Sequence, residues 1–548
     1  MQSAATLFFL AAPWLNPFTL GPTASVAPLL VSWACAAVML MVGPGSRASW
    51  PAVRTLGGIA LLIAAAALLP SLALPSAEAL ALVMSLLAIV ACSLRFANAT
   101  QADAIVLARA WLLAGLASVI MGWVQYVGAA DALAPWVSPA NLGEAFGNLR
   151  QRNLYASLTS IALCALLWLA RCDTWFSRPA RVMGPAVLLA AGNALSHSRT
   201  GLFELLLILA LAGIWGLYRE RAVRWVLAPV LPAYLAAALG LPALFTAGRH
   251  AGIFTRLTEG VEQCSSRMTL WSNVMELIGQ KPLFGWGWGR LDYAHFATLY
   301  DGPRFCDILD NAHNLPLHLA VELGLPVALF LCGAALWAVL RLRPWRETDP
   351  LRQMAWAVLA VMGLHSVLEY PLWYGPFQMA AGICLGLLVA VPHSTELRRP
   401  LPALALALAL ALALAVPLAV GVGLAALDYH RARQIYLSSE ERDAGYADQT
   451  LEKAREAWIF RDQVRFAELT TTPLERANAE WTLTSALSLL RFSPEPRVIE
   501  KAVESAVMLG RDDEALPLLI RFRAAFPKEH TDWAAALRKP PVTPEETD

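Results

Sequence analysis

Long apolar stretches, separated by short polar or proline-bearing turns, fill the first four-fifths of this 548-residue chain. Most run near the ~20 residues a helix needs to cross a bilayer. The pattern predicts spans over 4–16, 21–43, 52–74, 78–97, 104–127, 152–170, 181–196, 200–217, 223–246, 315–340, 352–369, 373–391 and 401–427. The fold class this implies is all-α: a polytopic helical membrane protein of about 12–13 transmembrane helices. The first stretch lacks a basic leader and runs into Pro13 and Asn16, so it reads as a membrane helix, not a cleavable signal peptide. Beyond residue 428 the pattern changes to short amphipathic helices, and acidic residues outnumber basic ones. "GRDDEALPLLIRFRAAFPKEH", 510–530, reads as one helix of a stacked helical hairpin, in the manner of tetratricopeptide-like arrays. The closing "RKPPVTPEETD" reads as disordered. The resulting division is 1–246 N-terminal membrane helices, 247–314 a large external loop, 315–427 C-terminal membrane helices and 428–548 a soluble helical domain.

Composition agrees with lipid as the solvent. The chain is 57% hydrophobic and 15% charged, against about 25% charged in ordinary soluble domains. The formal net charge is +1, and no basic run points to nucleic acid. The arginines are sorted by loop. One set of loops carries Arg47, Arg54, Arg95, Arg171, Arg178, Arg181, Arg219, Arg221, Arg224, Arg341, Arg343, Arg346, Arg352, Arg398 and Arg399. The alternate short loops carry Arg150, Arg152 and Arg199. The positive-inside rule then puts the N-terminus in the cytoplasm and 128–151, 197–199, the 247–312 loop and the tail outside. Five of the eight cysteines lie within spans and Cys172 in a cytoplasmic loop. Cys264 and Cys306 share the long external loop, where an oxidising exterior would let them pair.

The polar residues that fit neither anchors nor ordinary loops gather on that external side. "GNLRQRN" holds Arg152, "SHSRTG" holds Arg199 and "CSSRMTLW" holds Arg267. "DNAHN" holds Asn311, His313 and Asn314, and "HSVLEYPLWYGPF" holds His365, Glu369 and Tyr370. Arginines near lipid depth line aqueous cavities or bind anions. The plainer readings are that Arg152 anchors a helix end, that Arg199 caps the preceding helix, and that His365 and Glu369, one turn apart, form a structural pair. His318 pairs more naturally with Glu322, four residues on, than with His313 as a metal site. "GWGWGR", 285–290, reads as a surface-hugging loop, and Trp373 and Tyr374 as an interfacial belt. No carboxylate pair or Cys/His cluster in the external loops obliges a metal. Several arginines and a histidine facing a membrane cavity suit an anionic lipid-linked substrate. Guanidinium groups grip phosphate oxygens in pairs, and a histidine can take a proton from an attacking hydroxyl.

"PWLNPFTLGP", "AFGNLRQRNLYASL", "SHSRTGLFELL", "SSRMTLWSNVMELIGQKPLFGWGWG", "DGPRFCDILDNAHNLPLHLAVELG" and "HSVLEYPLWYGPF" occur in that order. Together they resemble the bacterial protein O-oligosaccharyltransferases, the PglL-type pilin-glycosylation ligases, which are grouped with WaaL-type O-antigen ligases and Wzy polymerases. The resemblance implies a GT-C-like enzyme of the bacterial inner membrane whose site and C-terminal domain face the periplasm. It implies en bloc transfer of a glycan from undecaprenyl diphosphate to an acceptor hydroxyl of a pilin-like protein, without a metal, cofactor or nucleotide sugar. The family's essential histidine maps to His313. Its diphosphate-binding arginines map to Arg199 and Arg267, with Arg152 third, and Asn311, Asn314, His365, Glu369 and Tyr370 stand as acceptor or supporting residues. Asn16, Pro17 and Phe18 match an N-terminal family motif in which Thr19 replaces a frequent histidine. Ligation to lipid A–core and repeat-unit polymerisation are neighbouring readings with the same chemistry. A transporter of an anionic lipid or sugar would also want cavity arginines, but the chain lacks the internal repeats common in transporters.

Overall fold

The computed structural model describes residues 2–19, 21–42, 50–68, 76–97, 99–245, 263–389 and 401–538. Among these the chain is helical, with no strand. The membrane part comprises α1 (Gln2–Leu15), α2 (Val26–Val42), α3 (Trp50–Leu68), α4 (Ala77–Phe96), α5 (Gln101–Tyr126), α6 (Arg152–Cys172), α7 (Pro179–Leu195), α8 (Arg199–Ile214), α9 (Arg221–Leu227) and α10 (Val230–Phe245). The long segment after α10 carries α11 (Arg267–Gln280) and α12 (Leu291–Ala297). Then come α13 (Leu315–Leu323), α14 (Leu325–Leu342), α15 (Pro350–Leu368), α16 (Gly375–Val389) and α17 (Leu401–Arg433). By length and apolar composition, seven helices among the described residues can cross a membrane, and the shorter apolar helices Ser3–Leu15, Val26–Met41 and Gly375–Val389 accompany them. The protein is therefore a multi-pass membrane protein. Helices α7 and α8, expected as separate spans, are 17 and 16 residues long.

Local chemistry sets the helix ends. Ser76 caps α4 by accepting from Ala79 N–H. Thr100 and Asp103 close a reciprocal capping box at the start of α5, and Asp103 also accepts from Arg95 at 2.8 Å. Helix α6 is buried all round from Leu154 to Ala170, as a helix apolar on every face should be. It is the axis of the bundle, packed by α5, α7, α8 and α15.

The expected span 315–340 is broken. Gly324 takes φ +86° between α13 and α14, and a Cβ there would meet the Leu283 carbonyl oxygen at 2.2 Å. Gly285, φ +66°, presses as closely against the Glu322 carbonyl. Trp286 N–H donates to Val321 O at 2.8 Å, Gly287 N–H to Glu322 O at 3.0 Å, and Leu325 N–H to Pro282 O at 2.8 Å. The glycine-rich segment thus threads across the break and satisfies backbone groups that the interruption exposes, which irregular backbone at such depth requires. His318 and Glu322 are both buried in α13 with Nε2 and Oε2 3.3 Å apart.

The tail is a set of short packed helices: α18 (Thr450–Ala454), α19 (Arg461–Thr471), α20 (Ala479–Leu489), α21 (Pro496–Met508), α22 (Asp512–Ala525) and α23 (Pro527–Leu537). Val498, Ile499, Val503, Leu518 and Phe522 form its core. The tail seats on α17, where the Asp428 carboxylate accepts from Trp458, Ile459 and Phe460 N–H at 2.8–3.0 Å. It also seats on the segment around α12, where Arg290 donates to Arg491 O and Arg521 to Ala297 O. Residues 247–262 of the expected loop and the closing segment from 539, read as disordered, lie outside the described residues.

Candidate functional site

Three arginines stand first in their helices: Arg152 in α6, Arg199 in α8 and Arg267 in α11. The preceding residue caps the helix in each case. Gln151, Ser198 and Ser266 accept from Leu154, Gly201 and Thr269 N–H respectively. A helix N-terminus carries partial positive charge and favours an anion, so a guanidinium at that position calls for a negative partner. Arg152 finds Glu144 and Arg267 finds Glu369. Arg199 is exposed and makes no ion pair among the described residues.

Glu369 is the hub. Oε1 accepts from Arg267 Nη2, and Oε2 meets His313 Nδ1 at 2.6 Å. The Glu369 side chain is 10% exposed, against 19% for His313 and 37% for Arg267. Burial pushes the Glu369 carboxyl up, but the His313 hydrogen bond and the charges of His313 and Arg267 outweigh it and hold the group below the usual carboxylate range. His313 sits at φ +48°, a left-handed backbone that is uncommon for a residue with a side chain. Asn311 holds it there by accepting the His313 N–H at 2.9 Å. The Tyr370 ring stands edge-on to the imidazole, centroids 4.9 Å apart. With Nδ1 engaged by the carboxylate, the tautomer and ring plane are set, and Nε2 is the nitrogen left for an incoming group.

The loop around this hub is tied down. Cys264 and Cys306 form a disulfide across 42 residues, and Trp271 Nε1 donates to Ala312 O at 3.1 Å. Asn314 caps α13 by accepting Leu317 N–H and donates to Val367 O at 3.0 Å, bridging the loop to the end of α15. Trp288 and Trp373 stack 5.9 Å apart, and Trp373 also stands edge-on to His318.

The structure brings Arg267, Asn311, His313, Glu369 and Tyr370 together. His365 is elsewhere. Its side chain is wholly buried in the bundle, 2.6 Å from Ser157 Oγ and 3.8 Å from Glu204 Oε1, and the expected His365–Glu369 side-chain pair does not form. Arg199 begins α8 instead of capping α7. Arg150, not among the candidate site residues, donates to Asn148 O and Pro17 O and so ties the Asn16-Pro17-Phe18 corner to the 147–151 turn. Ser157, Glu204 and Glu144 escaped the sequence reading. A lone glutamate inside the apolar stretch "GLFELLLILALAGI" was the available signal for Glu204. Among the described residues no group of three or more His, Cys, Asp or Glu is arranged to hold a metal.

Sequence comparisons match three successive families. Residues 145–170 match a protein glycosylation ligase family, residues 184–332 an O-antigen ligase family, and residues 353–539 the C-terminal region of a virulence factor membrane-bound polymerase family. The chain is similar to the ComP-specific O-oligosaccharyltransferase of Acinetobacter baylyi, 24% identical over 255 residues, 45% of this chain and 44% of that protein. It is also similar to the general O-oligosaccharyltransferase of the same organism, 24% identical over 273 residues, 47% and 46% respectively. The matched stretch thus spans somewhat under half the length of either relative. The resemblance carried by the six motifs is to the PglL-type protein O-oligosaccharyltransferases within the O-antigen ligase superfamily.

Proposed function

We propose that this protein is a glycosyltransferase that moves a glycan en bloc from undecaprenyl diphosphate to Ser or Thr hydroxyls of periplasmic proteins such as pilin. The observation that carries the reading is the Glu369 carboxylate holding Arg267 and His313, two residues of the large loop, at the mouth of the bundle. In this mechanism the acceptor hydroxyl gives its proton to His313 Nε2 as its oxygen attacks the anomeric carbon. The bond from that carbon to the diphosphate oxygen breaks, and undecaprenyl diphosphate leaves with the electron pair. Attack from the face opposite the diphosphate inverts the configuration. Glu369 steadies the imidazolium that forms. Arg199, with no ion-pair partner among the described residues, and the guanidinium N–H groups of Arg267 not spent on Glu369 stabilise the charge growing on the leaving diphosphate. Arg152, held by Glu144, is placed to assist only if that pair opens. Every step uses this chain's own residues, and the reading has no place for a metal.

The arginine distribution and the Cys264–Cys306 disulfide support an inner-membrane orientation with the N-terminus cytoplasmic and the site and tail periplasmic. Ligation to lipid A–core is the second reading, favoured by the O-antigen ligase match over 184–332. Purified enzyme is incubated with lipid-linked glycan and either pilin or lipid A–core, with and without chelator. A glycan-sized mass shift on pilin alone supports the proposal. A shift on lipid A–core alone replaces it with the second reading, and transfer that stops with chelator removes the metal-free mechanism.

A further inference from the structure

Beneath the site lies a second polar group that the proposed chemistry does not use. Ser157 of α6, Glu204 of α8 and His365 of α15 are each 0% exposed. Ser157 Oγ donates to Glu204 Oε1 and lies 2.6 Å from His365 Nδ1. The cluster joins three helices deep in apolar packing; two further polar links lie nearer their ends, Ser198 Oγ donating to Asn153 Oδ1 between the α8 cap and α6, and Arg171 Nη1 to Gln353 Oε1 between α6 and α15. Buried polar groups are costly to place in such a core, and one well-attested use is to fix register.

Each of these helices carries a site residue near one end. Ser157 lies five residues below Arg152, Glu204 five below Arg199 and His365 four below Glu369. At 1.5 Å per residue the two offsets within helices are about 7.5 Å each, and Glu369 directly follows the last residue of α15. Helices α6 and α8 begin at the site, whereas α15 ends there. Three chain segments running in both directions therefore meet at one depth and deliver their charged ends to one level. A one-residue slip of α8 against α15 would move Arg199 by about 1.5 Å along the axis and turn it by about 100°.

We infer that the Ser157–Glu204–His365 cluster is a positioning device: it locks the register of α6, α8 and α15 so that Arg199 faces the same diphosphate as the Glu369-held His313 and Arg267. This rests on the proposed transfer reaction. Ser157 is the smallest lever, because alanine removes one hydroxyl from the centre of the cluster and leaves its volume nearly unchanged.

The test uses full-length enzyme in nanodiscs, with turnover expressed per folded molecule and binding of a polyprenyl diphosphate probe measured separately. Ser157→Ala should lower the melting temperature, because it leaves buried groups of Glu204 and His365 without their hydroxyl partner, and in the molecules that remain folded it should weaken probe binding and lower turnover about tenfold to a hundredfold, the scale of an ångström-level misplacement. Ser157→Thr, which keeps the hydroxyl, should recover most of both. Combining Ser157→Ala with Arg199→Lys should cost little more than the worse single change, because both disturb the same contact. Ser93→Ala, which deletes a buried hydroxyl bonded to Gly382 O between α4 and α16, should turn over normally. Wild-type probe binding and turnover in Ser157→Ala, equal loss in Ser93→Ala, or full multiplication with Arg199→Lys each overturn the inference. An enzyme that binds the probe in this pattern but transfers no glycan leaves the positioning role standing and removes the transfer reading instead.

Discussion

Replacing Glu369 with glutamine tests the hub directly. The carboxylate makes two charge-assisted contacts, one to Arg267 and one to His313 Nδ1 at 2.6 Å. Such bonds contribute about 1.5–3 kcal/mol each, with the lower end suited to Arg267, whose side chain is 37% exposed. Glutamine offers one carbonyl oxygen, so it can keep one acceptor role. Its NH2 must then face either the guanidinium or the imidazole N–H, donor against donor. Losing one bond that acts in the transition state costs about tenfold to a hundredfold in rate. Glu369→Gln should therefore lower turnover by that factor while the protein still folds, and Glu369→Ala should lower it further. The assay is single-turnover transfer with purified enzyme, lipid-linked donor and acceptor protein. The double variant Glu369→Gln with Arg267→Lys is the sharper measurement. If the two side chains act as one unit, its loss is well short of the product of the single losses. Wild-type turnover in Glu369→Gln, or strictly multiplicative losses, would show that the contact is incidental.

His313→Ala should abolish transfer with little change in melting temperature, whereas His318→Ala, buried against Trp373 and Glu322, should lower the melting temperature; the reverse pattern refutes the assignment. Reducing the Cys264–Cys306 bond, which closes 42 residues, should destabilise the loop by about 4 kcal/mol in the chain-entropy model. Trypsin cleavage between the two cysteines, compared with and without reductant, reads this, and unchanged cleavage counts against it. Glu369 has a carboxyl held below the usual range, so its ion pairs contribute stability that is complete above the unfolded value of about 4.3 and is lost as pH falls through the lower folded value. The melting-temperature gap between wild type and Glu369→Gln should not narrow from pH 7 to 5 and should close only in stronger acid; a gap that already closes by pH 6 contradicts the pairing.

Helix existence was legible because apolar runs near spanning length leave few alternatives, yet the break at Gly324 was not. "LPLHLAVELGLPVALFLCGAALWAVL" is mostly apolar on both sides of that glycine; Pro326 in the first turn of α14 is a local mark of a boundary, but the crossing of Gly285 that holds the break comes from a distant segment. The same separation of local from long-range information divides the site. His313 and Glu369 were visible as polar residues where loops meet spans, and Arg267 as an arginine within the long loop. Their partners were not, because each partner lies in another segment. His365 and Glu369 looked like a pair at helical spacing, but Glu369 lies just past the end of α15 in extended backbone, φ −155°, ψ −160°. Leaving the helix swings the carboxylate out to the loop while the imidazole stays inside with Ser157. Four residues therefore separate a solvent-edge hub from a buried lock. An i,i+4 reading holds only while both residues share helical backbone, and at the end of α15 that condition fails where the site begins.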